Sequence, residues 1–192
     1  MRRLISCFFL LVMLSAFGEV HGDSITVGVD ATIQAWQDSG LYVTASQTLT
    51  IAASGTVWYG WFGNFVTATP DGFTSQYGDI PQFFNDCLVP SARAYSLVAK
   101  IGGTAEIGTG TLVPEDIPGT GAGFAGSSYS YKDIPLSGEL FFAFNDEIRD
   151  FGDNGSSFTV TAATVPEPST LVLLGFGAVS LIGYTWRRRR MP

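Results

Sequence analysis

The sequence has one histidine and two cysteines among its 192 residues. His21 and Cys7 both lie in an N-terminal segment, residues 1–22, with the order of a secretory signal peptide: two arginines, an apolar run and small residues. Once that segment is cleaved, the exported part is expected to keep no histidine and only Cys87. This excludes Ser-His-Asp and Cys-His catalysis, histidine-based zinc sites and an internal disulfide. We therefore predict that the protein is not an enzyme, although acidic pairs for glycoside hydrolysis are too common here to decide on sequence alone.

Basic residues are scarce between positions 23 and 164. Four Lys/Arg face fifteen Asp/Glu in this span, a formal net charge of −11, and the other six basic residues lie at the two ends of the chain. Such a surface repels polyanions and attracts cations. We expect no nucleic-acid partner.

Sustained helical periodicity is also missing between the two ends. Short alternating runs, separated by Gly, Pro, Asp and Ser, are typical of half-buried strands. They lie at 25–29, 41–44, 48–51, 56–59, 95–101, 139–144 and 157–161. This pattern predicts an all-β fold, a small antiparallel β-sandwich spanning residues 23–164. Residues 60–93 and 113–129 are predicted as loops, the second exposed and mobile.

The C-terminal segment is apolar and uncharged from 170 to 186 and ends in four arginines at 187–190. A run of this length is at the short end for crossing the ~30 Å hydrocarbon layer as a helix. The arginines would hold the end on the cytoplasmic side. The sequence thus predicts a sandwich flanked by an N-terminal signal helix and a C-terminal transmembrane helix, exported by the Sec route.

Residues 165–192 resemble the PEP-CTERM sorting signal, because Pro166-Glu167-Pro168 precedes the apolar segment and the basic end. The resemblance implies that an exosortase, a membrane protease, reads Pro166, Glu167 and Pro168 and removes the tail. The protein would be anchored transiently in the inner membrane and then reach the cell surface or extracellular matrix. An ordinary one-helix membrane anchor is the alternative reading of the same segment.

An acidic turn, FNDEIRDFGDNGSSFTV, separates two of the predicted strands. Its folding back would bring Asp146, Asp153 and Asn154 together, although the spacing is not that of an EF-hand. From the residues alone, this is either a cation site or a solvated acidic turn.

The segments around this turn carry a second resemblance. LYVTASQTLTIAASGTVWYG, CLVPSARAYSLVAKIGG and ELFFAFNDEIRDFGDNGSSFTVT, in that order, are similar to the LecA-type calcium-dependent galactose-binding lectins. This resemblance implies a jelly-roll-like sandwich and a Ca²⁺ ion that holds a sugar through two hydroxyls. It places the metal ligands at the Tyr59 carbonyl, the Asp150 carbonyl and the side chains of Asp146, Asp153 and Asn154. All are hard oxygen ligands, as Ca²⁺ prefers.

The sugar-recognition loop of that family matches less well. Gln82 is the counterpart of a family glutamine, while the family's histidine has none. The predicted function is a calcium-dependent, lectin-like module whose partner is an extracellular polysaccharide or galactoside. A structural surface or matrix protein, with calcium at most as a staple and no ligand pocket, is the alternative.

Overall fold

The computed structural model describes residues 22–61, 64–73 and 83–166, together with isolated positions between 177 and 186. Most of the predicted signal peptide lies outside these residues, as do Gln82, Glu167 and Pro168. The described positions of the predicted membrane segment are helical. Within the described residues, no helix combines the length and apolar character needed to cross a bilayer.

Up to Pro166, the described residues contain ten strands and a single turn of 3₁₀ helix at Phe151–Asp153. The strands are β1 (Ser24–Asp30), β2 (Gln37–Val43), β3 (Gln47–Ser54), β4 (Val57–Trp61), β5 (Asn64–Ala68), β6 (Leu97–Ile101), β7 (Thr111–Leu112), β8 (Ser128–Tyr131), β9 (Gly138–Phe144) and β10 (Ser157–Pro166).

Two four-stranded sheets form the sandwich, with strand orders β1-β10-β3-β8 and β2-β9-β6-β7, and β4 and β5 form a separate hairpin. Every described pairing is antiparallel. The prediction of an all-β antiparallel sandwich is confirmed.

The main core lies between the two sheets and follows from the alternation of side chains along each strand. In β10, Phe158, Val160 and Ala162 are buried, while Thr159 and Thr161 are exposed. Burial of these side chains is the main stabilising contribution, about 25 cal/mol per Å² of apolar area.

The central strands β6 and β9 depart from this alternation because both of their faces are covered. All five residues of β6 are buried, and so are the last five of β9. A second apolar cluster, which includes Trp36, Val98, Phe124 and Phe141, covers the outer face of their sheet. This explains why LVAKI and LFFAF are continuous apolar runs apart from Lys100.

The prediction of loops at 60–93 and 113–129, the second exposed and mobile, is wrong in part. The first segment contributes β5, and the second contains buried residues such as Val113, Phe124 and Tyr129. Tyr129 belongs to β8, which pairs with β3. Glycines and serines hid these contacts, since the chain wraps over the sheet with few large side chains.

β10 continues to Pro166, where it pairs with Gln47 of β3. The predicted domain boundary at 164 and the first proline of the predicted sorting motif therefore both lie within a strand. At the same end of the sandwich, the Thr164 amide donates to the Asp23 carbonyl at 2.9 Å. The turn between β9 and β10 lies at the opposite end, because β1 and β10 run antiparallel from Ser24↔Ala163 to Asp30↔Ser157.

Candidate functional site

The acidic turn, residues 145–156, crosses from one sheet to the other at the end of β9. Asn145 is fully buried and fixes the start of the turn. Its Oδ1 accepts from the Val89 amide at 2.8 Å, and its Nδ2 donates to the carbonyls of Val89, Ala92 and Arg93 at 3.1, 3.3 and 2.8 Å. A satisfied buried amide of this kind holds the two segments in one geometry.

Residues 86–88 pair with the next part of the turn. The Leu88 amide donates to the Asp146 carbonyl, and the Ile148 amide donates to the Asp86 carbonyl, each at 2.9 Å. Cys87 and Glu147 form an isolated antiparallel bridge between these bonds. The backbone at Asp146 is therefore anchored on the 86–88 segment.

Asp146 and Asn154 are in direct contact in the interior of the turn. They are 3% and 4% exposed, and the Asn154 Nδ2 donates to the Asp146 Oδ2 at 2.7 Å. The same Nδ2 donates to the Ala31 carbonyl at 3.1 Å, and the Glu147 amide donates to the Asp146 Oδ1 at 2.7 Å. The Asn154 Oδ1 is also buried, and it finds no hydrogen-bond partner among the described residues. A buried acceptor left in this state is unfavourable unless another group or ion satisfies it.

The carboxyl of Asp146 is in an unfavourable environment for a negative charge. Its pKa is raised to about 6, mainly because burial disfavours the ionised form. Hydrogen bonds from Asn154 and the Glu147 amide oppose the rise, and the negative charges of Asp153 and Asp150 add to it. Asp146, Asp150 and Asp153 are therefore close enough to interact electrostatically.

Asp153 lies against the β4–β5 hairpin. A Cβ atom placed on Gly60 would overlap the Asp153 carboxylate, so the missing side chain of Gly60 leaves the space that this carboxylate occupies. Asp150 precedes the 3₁₀ turn, and its carbonyl accepts a long hydrogen bond, 3.4 Å, from the Asp153 amide. This bond leaves one lone pair of the Asp150 carbonyl available.

Tyr59 lies beneath the turn as part of the core. Its ring stacks on Tyr95 at a centroid distance of 3.8 Å, and its buried hydroxyl has no hydrogen-bond partner among the described atoms. Burial and the nearby charge of Asp146 raise the pKa of this hydroxyl. Tyr59 pairs with Val66, while Trp58 uses the other edge of β4 to bond Gly155. Because successive strand residues turn their backbone groups to opposite edges, the Tyr59 carbonyl faces β5, and its role as a ligand stays a prediction.

The residues predicted as metal ligands thus fall into three groups. Asp146 and Asn154 are hydrogen-bonded to each other, and Asp150 and Asp153 lie in the same turn. Tyr59 directly precedes Gly60, whose Cα lies against the Asp153 carboxylate. Across the described part of the chain, no three His, Cys, Asp or Glu side chains form a metal-binding group. A cation here would depend on amide and carbonyl oxygens as well as carboxylates, which is usual for Ca²⁺.

A cavity of about 700 Å³ adjoins this arrangement. It lies between the segments 85–90 and 147–150, and Asp150 belongs to its lining. The lining combines apolar side chains, such as Leu88 and Ile148, with the charged groups of Asp86, Glu147 and Arg149. Its volume is in the range of small-molecule sites.

Three residues that shape the site were not predicted from the sequence. Asn145 anchors the turn, Gly60 makes room for Asp153, and Gly155 makes room for the Trp58 ring. Asn145 had little signal, because a polar residue at the end of a strand is common and its burial is visible only in the structure. The two glycines had none, since their roles depend on contacts between distant segments.

Comparison with known proteins agrees with both resemblances. Residues 164–190 match the family model of the PEP-CTERM protein-sorting motif. Over 133 residues, 69% of this chain, the sequence is 32% identical to Lectin A of Photorhabdus laumondii subsp. laumondii, and the match covers 84% of that protein. A solved structure described as EclA N-terminal domain, a PllA-like lectin, is 22% identical with a TM-score of 0.44, over 73% of this chain and 95% of its own. At the identity and coverage of the Photorhabdus protein, this chain belongs to the Lectin A family.

Proposed function

We propose that the protein is an exported, calcium-dependent carbohydrate-binding module that is sorted to the cell surface or extracellular matrix. The observation that carries the proposal is the buried, unpartnered Asn154 Oδ1 beside the buried carboxylate of Asp146. A divalent cation bound there would satisfy both oxygens. Membership of the Lectin A family supports the carbohydrate part.

The residues of the turn fit calcium in their chemistry. Asp146, Asp153 and Asn154 would contribute side-chain oxygens, and Asp150 a carbonyl. The Tyr59 carbonyl, on the β5 edge in this structure, is the fifth proposed ligand. When bound, the ion would supply open coordination positions for hydroxyl groups, while the protein residues hold it in place and exclude water from one side.

The cavity beside Asp150, together with the adjoining surface at Asp153, is the proposed place for the sugar. Apolar side chains can contact the C–H groups of a pyranose, and polar groups at the rim can accept hydrogen bonds from its hydroxyls. Gln82 immediately precedes the described segment that enters this cavity, and we keep it as a proposed sugar contact. Binding without chemical change is the activity that these groups support.

The proposed sorting route rests on the match at 164–190. An exosortase would recognise Pro166, Glu167 and Pro168 while the C-terminal helix holds the protein in the inner membrane. We expect Glu167→Ala to leave the protein in the membrane fraction, whereas Glu106→Ala, at an exposed position of the sandwich, is released like wild type. Equal release of both variants would argue against this processing.

Calcium binding is tested by thermal unfolding with and without millimolar Ca²⁺. A ligand that binds only the folded state at 100 times its Kd stabilises the fold by about 2.7 kcal/mol. We therefore expect a clear rise in melting temperature with Ca²⁺, and no change would contradict the metal site.

A glycan array then separates the two functional alternatives. A carbohydrate-binding module gives a signal with Ca²⁺ that EDTA removes. Calcium-dependent stabilisation without binding to any glycan would favour the structural surface or matrix protein.

A further inference from the structure

Trp58 is a large exposed side chain at the border of the proposed calcium site. It lies on β4 between the buried residues Val57 and Tyr59, and 41% of its surface is exposed. Alternation along the strand places its indole on the outer face of β4, away from the main core.

The turn between β9 and β10 is held directly on Trp58. The Trp58 amide donates to the Gly155 carbonyl at 3.1 Å, and the Gly155 amide donates to the Trp58 carbonyl at 2.9 Å. A Cβ atom on Gly155 would overlap the six-membered ring of the indole. The indole therefore lies directly on the backbone that follows Asn154.

Asp153 occupies the same face of β4 as this indole. Residues two apart in a strand point to the same side, so Trp58 and Gly60 share the outer face. The Asp153 carboxylate fills the Cβ position of Gly60. With a rise of about 3.3 Å per residue, the indole and this carboxylate stand roughly 7 Å apart along the strand.

We propose that Trp58 is a specificity-determining residue whose indole contacts the C–H face of a pyranose held at the Asp153 side of the cation. A sugar whose hydroxyls bind the ion keeps its apolar C–H groups free, and an adjacent exposed indole is a complementary surface for them. Glycans that present such a face are favoured, and polyols without a rigid ring are not. The inference rests on the proposed function and adds the residue that selects among sugars.

The test compares Trp58→Ala and Trp58→Phe with wild type, using the full chain purified in detergent. Tyr42→Ala serves as the matched control, because Tyr42 is also an exposed aromatic, 55% exposed, and pairs with Glu139 far from the turn. Calcium affinity is measured by titration without sugar, and glycan binding is measured on an array with saturating Ca²⁺.

We expect Trp58→Ala to weaken binding to the array glycans by roughly three- to tenfold, taking the contribution of an aromatic pair as the guide. Calcium affinity should change by less than about threefold, Trp58→Phe should retain most of the glycan binding, and Tyr42→Ala should change neither.

Two results would overturn the inference while leaving the proposed function intact. One is unchanged glycan binding in Trp58→Ala. The other is a loss of calcium affinity as large as the loss of glycan binding, in both Trp58 variants, which would make Trp58 a positioning residue for the turn. Failure of wild type to bind calcium or any array glycan would instead overturn the proposed function, and this inference with it.

Discussion

Two buried charged groups in this sandwich, Lys100 and Asp146, differ in how completely the protein provides their hydrogen-bond partners. The Lys100 side chain is 1% exposed, and its Nζ uses its full donor capacity within the protein. It also lies 4.8 and 5.2 Å from the ring centroids of Trp36 and Phe141, within the range of cation–π attraction. The carbonyl acceptors are those of Thr104 at 2.6 Å, Glu106 at 3.0 Å and Thr109 at 2.8 Å.

Asp146 has no such closed environment. Its partners are one amide side chain and one backbone amide, its described carboxylate neighbours add negative charge, and Asn154 beside it keeps an unpartnered oxygen. This fold can therefore surround a buried charge with its own hydrogen-bond acceptors, as it does at Lys100, although burial lowers the pKa of that ammonium group as well. The incomplete environment of Asp146 is the basis of our proposal that a cation binds there.

The largest expected loss of stability comes from removing the charge of Lys100, whose hydrogen-bond partners all belong to the protein. Lys100→Met leaves the three carbonyls that accept hydrogen bonds from its Nζ without their donor. We therefore expect a loss of about 3 kcal/mol in the free energy of unfolding. Urea unfolding measures it, with the exposed Lys132→Met as control. Calcium should not restore the loss. A variant as stable as wild type would show that these hydrogen bonds contribute little to stability.

A smaller loss of stability is expected from Gly60→Ala, which affects the proposed calcium site. The added methyl must displace the Asp153 carboxylate. We expect most of the calcium-induced stabilisation, about 2.7 kcal/mol at 100 times the Kd, to be lost. Metal-free stability should fall by less than this. Gly28→Ala is a suitable control, because a Cβ there meets only the Ser157 side chain at an ordinary distance of 4.0 Å. A wild-type calcium response in Gly60→Ala would remove Asp153 from the ligand set.

The smallest effect is expected at Cys87, which lies beside the proposed calcium site and is not one of the proposed ligands. Its thiol is 1% exposed, and burial together with the charges of Asp146, Glu147 and Asp86 raises its pKa to about 12. Since the thiolate is the reactive form, we expect a thiol reagent at pH 8 to modify Cys87 only as fast as the protein unfolds. Labelling of the folded protein at the rate of a free thiol would contradict this environment.

The strands with clear alternation could be predicted from the sequence, and β10 is the best case. The outer cluster on β6 and β9 could not, because a continuous apolar run does not reveal what covers its second face. β8 was missed since SYSY alternates with tyrosines in a serine-rich context that favours a loop prediction.

The sequence predicts the proposed ligands as a set of residue types, and the structure shows the contacts among them. Asp146, Asp153 and Asn154 could be named because their chemistry and their position between two strands are visible in the sequence. The edge that the Tyr59 carbonyl faces, the space at Gly60 and the Trp58–Gly155 pairing depend on how the β4–β5 hairpin meets the turn. No local sequence pattern predicts this contact between the hairpin and the turn.

Calcium binding at Asp146 is tested most directly by the free energy of unfolding of Asp146→Asn with and without calcium. Without Ca²⁺, the variant loses a poorly compensated buried charge but also one of two hydrogen-bond acceptors, so its stability should stay within about 1 kcal/mol of wild type. With Ca²⁺, the variant should fall below wild type, because it has lost a charged ligand. Glu139→Gln, an exposed change at the start of β9, should follow wild type in both conditions. An Asp146→Asn variant that is equally destabilised with and without calcium would contradict calcium binding at Asp146.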